Sequence, residues 1–230
     1  PIVLLSLVPM FETIAIFGAT GGSGSEILAA ALDAGYIVRI MVRNPSKVTI
    51  EHSNLTVLKG DFTALDVIKD TVQGADYVVS AVGGPMGKPK DFPVGTIVQF
   101  IKDLYTIMKE TLSVKVFLHQ SGAFVAHPDG THPYSMRIMG YLVGWMAGIS
   151  PNLEENLNIE KYMESVKDDM PFKMVCTRPG TLQKGPGGNE LGASESPPLG
   201  MVDYKDVGVF TVKALKDETL YGKYPYVNKV

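Results

Sequence analysis

The segment Gly18-Ala-Thr-Gly-Gly-Ser-Gly24 stands between an apolar run, Thr13-Ile-Ala-Ile-Phe17, and a helix-forming stretch, Ser25-Glu-Ile-Leu-Ala-Ala-Ala-Leu32. A strand, a glycine turn and a helix start in direct succession leave few folds open. Such a turn aims backbone N–H groups at the helix N-terminus, where the macrodipole favours an anion such as a pyrophosphate. Gly35 then closes the helix, and Tyr36-Ile-Val-Arg-Ile-Met-Val42 supplies a second apolar strand. The result is a βαβ unit of about thirty residues, the unit from which parallel sheets and dinucleotide sites are built. The expected fold is therefore α/β: a Rossmann-like, doubly wound, mostly parallel sheet with helices on both faces. Gly18, Thr20, Gly21, Gly22, Ser23 and Gly24 are the expected pyrophosphate contacts. The competing reading is a glycine turn that serves packing alone.

Many such sites carry an Asp or Glu after the second strand, where it takes the adenosine ribose hydroxyls. This chain has Arg43 there, followed by Asn44, Pro45, Ser46 and Lys47. A guanidinium fork with a nearby ammonium suits a 2′-phosphate, so Arg43 and Lys47 point to NADP(H) rather than NAD. The alternative is a solvated basic turn. Arg39 is a second candidate, because strand alternation puts it on the face of Met41 and Arg43.

Taken together, Ile16-Phe-Gly-Ala-Thr-Gly-Gly-Ser-Gly24, Val42-Arg-Asn-Pro-Ser-Lys47, Lys59-Gly-Asp61, Ala75-Asp-Tyr-Val-Val-Ser-Ala81, Ser121-Gly122 and Thr177-Arg-Pro-Gly-Thr-Leu182 lie in a recognisable order. The chain resembles the atypical short-chain dehydrogenase/reductase group, in the style of its NmrA-like and biliverdin reductase B (flavin reductase)-like members. The resemblance runs from about residue 12 onward. It implies that Asp61 and Phe62 border the adenine, that Ala81, Val82 and Gly83 open a loop over the central ribose and phosphates, and that Pro179 and Thr181 pass the nicotinamide carboxamide. Asp61 can equally cap the helix that begins near Ala64.

A length of 230 residues suffices for one doubly wound domain, expected over 12–230. Residues 1–11 are treated as an N-terminal extension, since the apolar opening is too short to span a bilayer and Met10 reads as a native start. With 24 acidic and 21 basic residues the net charge is −3, which gives no footprint for nucleic acid. The one cysteine, Cys176, cannot form an internal disulfide; it fits a cytoplasmic protein and reads as a small core residue. Neither a membrane nor a nucleic-acid partner is expected, and the chain should be a monomer or small homo-oligomer.

Leu55–Lys59 and Tyr77–Ala81 read as further strands, and Val94–Leu112 reads as an amphipathic crossover helix. Lys115–Gln120 is a fifth strand, with Ser121 at its carboxyl end beside the expected nicotinamide. Many dehydrogenases of the wider group follow such a Ser by a Tyr, with a Lys four positions on that lowers the Tyr pKa. Tyr134 stands thirteen residues after Ser121, but Ile138 occupies the Lys position. The literal pair Tyr105 and Lys109 falls on the crossover helix, before the Ser. The expected chemistry is therefore hydride delivery to a small conjugated acceptor of flavin, quinone, tetrapyrrole or enone type. Such acceptors are electrophilic and can take their proton from water, so the protein mainly binds and orients. Ser121 is the expected hydrogen-bond donor, and Tyr134 or His132 a donor through water.

The substrate loops are expected at 123–151 and 180–202, and the glycines and prolines that run from Arg178 to Gly188 read as a flexible lid. His127, Asp129 and His132 form a turn in preference to a metal site. Tyr141, Trp145 and Met146 are expected to be buried, with an acceptor wall as the alternative. Asn156 and Asn158 precede Glu160 where relatives often carry a Lys. Asp203 is the expected N-cap of the last helix, which is assigned packing only. The alternative to a reductase is a non-catalytic NADP-binding redox sensor of the NmrA type.

Overall fold

The structure is a computed structural model, described over residues 11–83, 93–128, 133–146, 148, 150–198 and 200–230. Its strands are β1 (Thr13–Phe17), β2 (Ile37–Val42), β3 (Leu55–Lys59), β4 (Tyr77–Ser80), β5 (Val116–Gln120), β6 (Lys173–Pro179), β7 (Thr181–Gln183), β8 (Leu191–Ser194), β9 (Met201–Asp203) and β10 (Tyr226–Lys229). Eight of them form one sheet in the order β3-β2-β1-β4-β5-β6-β10-β8, parallel except for β8. The helices are α1 (Gly22–Asp33), α2 (Leu65–Val72), α3 (Thr96–Thr111), α4 (Tyr134–Met146), α5 (Ser150–Val166) and α6 (Tyr204–Ala214).

All five residues of β1 are buried, as a strand covered on both faces requires. Alternation divides them between two cores. Ile14 and Ile16 pack with Ile27 and Leu28 of α1 and Phe210 of α6. Ala15 and Phe17 pack with Phe100 and Leu104 of α3 and Met163 of α5. Each fully buried Ile or Phe contributes about 1.5–3 kcal/mol, so the doubly covered centre dominates stability. Gly35 closes α1 at φ +83°, a left-handed conformation that glycine enters without a Cβ penalty. The chain moves outward from β1 to β3 and returns to β4 on the other side of β1. A crevice therefore opens at the carboxyl ends of β1 and β4, the usual binding place in such sheets.

The structure departs from expectation in two regions. Tyr141, Trp145 and Met146 are not buried: they are 77%, 74% and 77% exposed. The inward stripe of α4 is instead Gly140 and Gly144, where an added Cβ would come 2.8 Å from the Phe124 carbonyl oxygen and 2.9 Å from Ser150 Oγ. The aromatic residues, one position later in each turn, face outward. The stretch expected as a lid carries β7, and the expected substrate loop 180–202 also carries β8, which completes the main sheet, and the start of β9. Asp203 holds the N-cap position of α6, yet its carboxylate accepts from Gln183 Nε2 at 2.9 Å and Gly187 N at 3.1 Å rather than capping the helix. Asp206 likewise accepts from Gly188 N at 2.7 Å, so this segment is tied to α6 by carboxylates. Among the described residues no helix is long and apolar enough to cross a membrane.

Candidate functional site

The glycine turn lies at the switch point of the sheet, between β1 and α1. Gly18 sits at φ +89°, and a Cβ there would come 2.6 Å from the Ala81 carbonyl oxygen. The turn is closed by Gly21 N donating to Gly18 O at 2.9 Å. A Cβ on Gly24 would lie 2.0 Å from Gly18 O, so only glycine lets α1 approach the turn this closely. Gly21 is the N-cap without a side-chain hydrogen bond, and the first turn of α1 has no acidic residue. That helix end thus keeps its positive field for an outside anion. Thr20, Gly21 and Gly22 are exposed, whereas Ser23 is buried and accepts from Gln120 Nε2 at 2.8 Å. Tyr204, at the start of α6, lies over the turn: a Cβ on Gly22 would meet its ring atoms at 2.7–3.0 Å.

Beside this turn, Ala81 N donates to Phe17 O at 2.9 Å, which joins the ends of β4 and β1. Ala81, Val82 and Gly83 follow at the crevice, with Val82 buried and Gly83 exposed. At the end of β2, Arg43 and Lys47 are both exposed, and the side chain of Asn44 fixes the turn between them by accepting from Ser46 N at 3.1 Å. Arg39 is engaged elsewhere, donating to the carbonyls of Asp70 and Gln73 at the end of α2. Asp61 accepts from Thr63 N at 2.9 Å and Thr63 Oγ1 at 2.7 Å. Those bonds, with Arg43 nearby, hold its carboxyl below the usual range. The bonds are confined to the turn before α2, whose N-cap, Ala64, has no capping side chain of its own. Phe62 packs on Phe100 with ring centroids 4.7 Å apart.

The other side of the crevice is built from buried charge. Ser121, half-buried at the end of β5, donates from Oγ to Glu160 Oε1 of α5 at 2.6 Å. Arg178 of β6 brings Nε to 3.8 Å from the same oxygen, and both charged side chains are fully buried. Arg178 also donates to the Val125 carbonyl and stacks its guanidinium 4.8 Å above the Tyr226 ring. Burial lifts the Glu160 carboxyl to about 7, against the opposing pull of Arg178 and Ser121. His119, also fully buried, approaches Asn156 Oδ1 at 3.2 Å through Nε2, and burial depresses it to about 4. Glu155 fills the N-terminus of α3, accepting from the backbone N–H groups of Gly95, Ile97 and Val98.

The expected residues thus fall into three groups. Gly18 to Gly24, Ala81 to Gly83 and Ser121 line the carboxyl edge around the switch point, while Arg43, Lys47, Asp61 and Phe62 lie at the neighbouring ends of β2 and β3. Pro179 ends β6 and Thr181 begins β7, next to Ser121 through the bond from Ala123 N to Pro179 O at 2.9 Å. Tyr134 stands at the start of α4 and is 75% exposed. His132, Asp129, Gly84, Pro85 and Met10 lie outside the described residues. Tyr105 is buried among Phe117, Tyr162 and Phe172. Cys176 is buried, and burial pushes its thiol up.

Sequence reading missed Tyr204 and Gln120, and gave Glu160, Arg178 and Asn156 no contacts. The one available signal was Arg178 following the apolar run Met174–Cys176 in one strand, since a buried guanidinium requires an acidic partner. A separate cavity of about 680 Å³, lined by His127, Lys167, Thr219 and Tyr224 among others, contains none of the glycine-turn residues.

Comparison with known proteins agrees with this geometry. The reductase pytE of Aspergillus terreus is 28% identical over 238 residues, spanning 85% of this chain and 88% of that protein. Among solved structures, the anaerobilin reductase ChuY of Escherichia coli superposes with a TM-score of 0.69 at 16% identity, over 94% of this chain and 97% of that one. The oxidoreductase ylbE of Lactococcus lactis gives a TM-score of 0.71 at 14% identity, over 95% and 91%. At these identities the two structures establish the Rossmann-like fold. Residues 18–218 match the NAD(P)H-binding family, and the chain belongs to that family, as its resemblance to the atypical short-chain dehydrogenase/reductase group implied.

Proposed function

We propose that this protein is an NADPH-dependent reductase that transfers hydride to a small conjugated acceptor of flavin, quinone, tetrapyrrole or enone type. The observation that carries the cofactor choice is Arg43 with Lys47, both exposed at the end of β2 where an NAD-selecting carboxylate would otherwise stand. In this reading Gly18, Thr20, Gly21, Gly22, Ser23 and Gly24 take the pyrophosphate, and Arg43 and Lys47 the 2′-phosphate. Asp61 and Phe62 border the adenine, Ala81 to Gly83 the central riboses, and Pro179 and Thr181 the carboxamide. The bound nicotinamide supplies the hydride. Ser121 positions the acceptor, and Tyr134 is a further donor at the mouth. The reductase names of pytE and ChuY support a reduction as the reaction class.

A sensor without turnover is the second reading, supported by the exposed aromatic face of α4, which offers a surface to another protein. Calorimetric titration with NADPH and NADH tests the cofactor. Wild type should prefer NADPH, and Arg43→Ala should lose about 10- to 100-fold in NADPH affinity with little change for NADH. Equal affinities in the wild type would refute the assignment. NADPH consumption across flavin, quinone, enone and tetrapyrrole acceptors separates reductase from sensor.

A further inference from the structure

Three polar side chains stand one behind another where β5 and β6 end. Ser121 is at the crevice, Glu160 lies 2.6 Å behind it, and Arg178 lies 3.8 Å from the same carboxylate oxygen. A buried Arg–carboxylate pair built for stability closes two parallel hydrogen bonds. This one closes none. Glu160 Oε2 and Arg178 Nε and Nη1 are buried without a hydrogen-bond partner, while Arg178 Nη2 serves the Val125 carbonyl. Beside its contact with the Cys176 thiol, the Glu160 carboxyl makes its short bond to a hydroxyl that reaches the site.

We propose that Glu160 stores a proton and passes it, through Ser121 Oγ, to the molecule being reduced. The proposal rests on the reductase reading, in which Ser121 faces the acceptor. When Glu160 is ionised, the Ser121 hydroxyl must donate to the carboxylate and has no proton for the crevice. When Glu160 is protonated, Oε1–H donates to Oγ, and the Ser121 hydroxyl is free to turn toward the acceptor. The acceptor gains two electrons with the hydride and then needs one proton. Ser121 gives up the proton on Oγ as it takes the one on Glu160 Oε1, which leaves a carboxylate facing Arg178. One proton entering from water through Ser121 restores the starting state. Glu160 thus acts through Ser121 as a positioning residue for the proton.

Among the described residues, Arg178, Cys176, Tyr224 and Tyr226 face Glu160 and keep one charge state near neutrality. Arg178 is a fixed positive charge. Burial pushes the Cys176 thiol and the Tyr224 phenol up, so both stay neutral there. Tyr226 stacks on Arg178, and its phenol is likewise raised by burial. Glu164 is turned to the Tyr224 hydroxyl at 3.1 Å and to Lys167. The carboxyl of Glu160, lifted to about 7 by burial, holds its proton below that pH and loses it above.

Infrared titration of the cofactor-free protein follows the C=O band of a protonated carboxyl without any turnover. The expected band fades as pH rises through about 7, is missing in Glu160→Gln and shifts in Ser121→Ala, which leaves both buried charges in place. With NADPH and menadione as the acceptor probe, wild-type kcat should fall across the same pH range. Ser121→Ala should lower kcat by about tenfold at pH near 6 and flatten the profile. If Glu160→Gln does not fold, Ser121→Ala carries both readouts. A Glu160 carboxyl that stays ionised at pH near 5.5, or a Ser121→Ala profile like that of wild type, overturns the proposal. A titrating band that shifts in Ser121→Ala, with no reduction of menadione or flavin at any pH, supports the proton store and defeats the reductase reading.

Discussion

The two sides of the crevice are held by opposite means. On the β1–β2 side the site is made of backbone and of missing side chains: Gly18 and Gly24 tolerate no Cβ, and the helix end is left open to an anion. On the β5–β6 side it is made of buried side chains, with Glu160, Arg178, His119 and Glu155 all within the protein interior. Backbone geometry is set by a few neighbouring residues. Buried charge depends on partners from α3, α5, β5, β6 and β10, so its cost appears only when one partner is removed.

That contrast can be broken most directly at the ion pair. Arg178→Met leaves the buried Glu160 carboxylate without its counter-charge and the Val125 carbonyl without its donor, and should lower unfolding free energy by about 4 kcal/mol in denaturant titration at pH near 8. Glu160→Gln/Arg178→Met, which removes both charges, should recover most of it. A single-variant loss under about 1 kcal/mol would mean that charge does not hold this side. Next in size, Gly24→Ala forces a Cβ into the Gly18 carbonyl and should cost about 3 kcal/mol, with loss of nucleotide binding. A stable Gly24→Ala protein that still bound nucleotide would erase the distinction from the other direction.

The smallest effect sharpens the comparison within the charged side. His119 titrates at about 4 when folded and near 6.5 when unfolded, so the unfolded chain binds more protons as pH falls below 6.5. Its contribution to stability is therefore lost on acidification. Glu160, raised to about 7 from 4.5, behaves in the opposite sense: the folded state binds more protons between those values, and stability falls as pH rises through them. The two cancel in part in the wild type. In Glu160→Gln, unfolding free energy should drop by about 2 kcal/mol between pH 6.5 and 5, where wild type changes little. Parallel curves for the two proteins would remove Glu160 from the balance.

The same contrast explains what could be read from the chain. The strand, glycine turn, helix and second strand are adjacent in sequence, and burial of β1 on both faces follows from its apolar run Ile14–Phe17. The basic residues after β2 were visible for the same reason. Glu160 and Arg178 are separated by the helix end and a strand, and nothing local distinguishes Glu160 from the surface acids beside it. The outward turn of Tyr141 and Trp145 was missed because apolar side chains were assigned to the core, when Gly140 and Gly144 are what α4 presents inward. The segment 180–202 reads as loop from its Gly and Pro content, yet pairing with distant strands and the carboxylates of Asp203 and Asp206 give it structure.

Two helices, α1 and α3, begin at the carboxyl edge of the central strands, and each would attract a negative group. α3 already carries one of its own, the carboxylate of Glu155, bound to three backbone N–H groups. A bisphosphate arriving at this edge therefore meets one open positive pole instead of two. Under the proposed cofactor reading that one pole would fix the direction of the dinucleotide along the edge, and Glu155 would act as an orientation key for a ligand it does not touch.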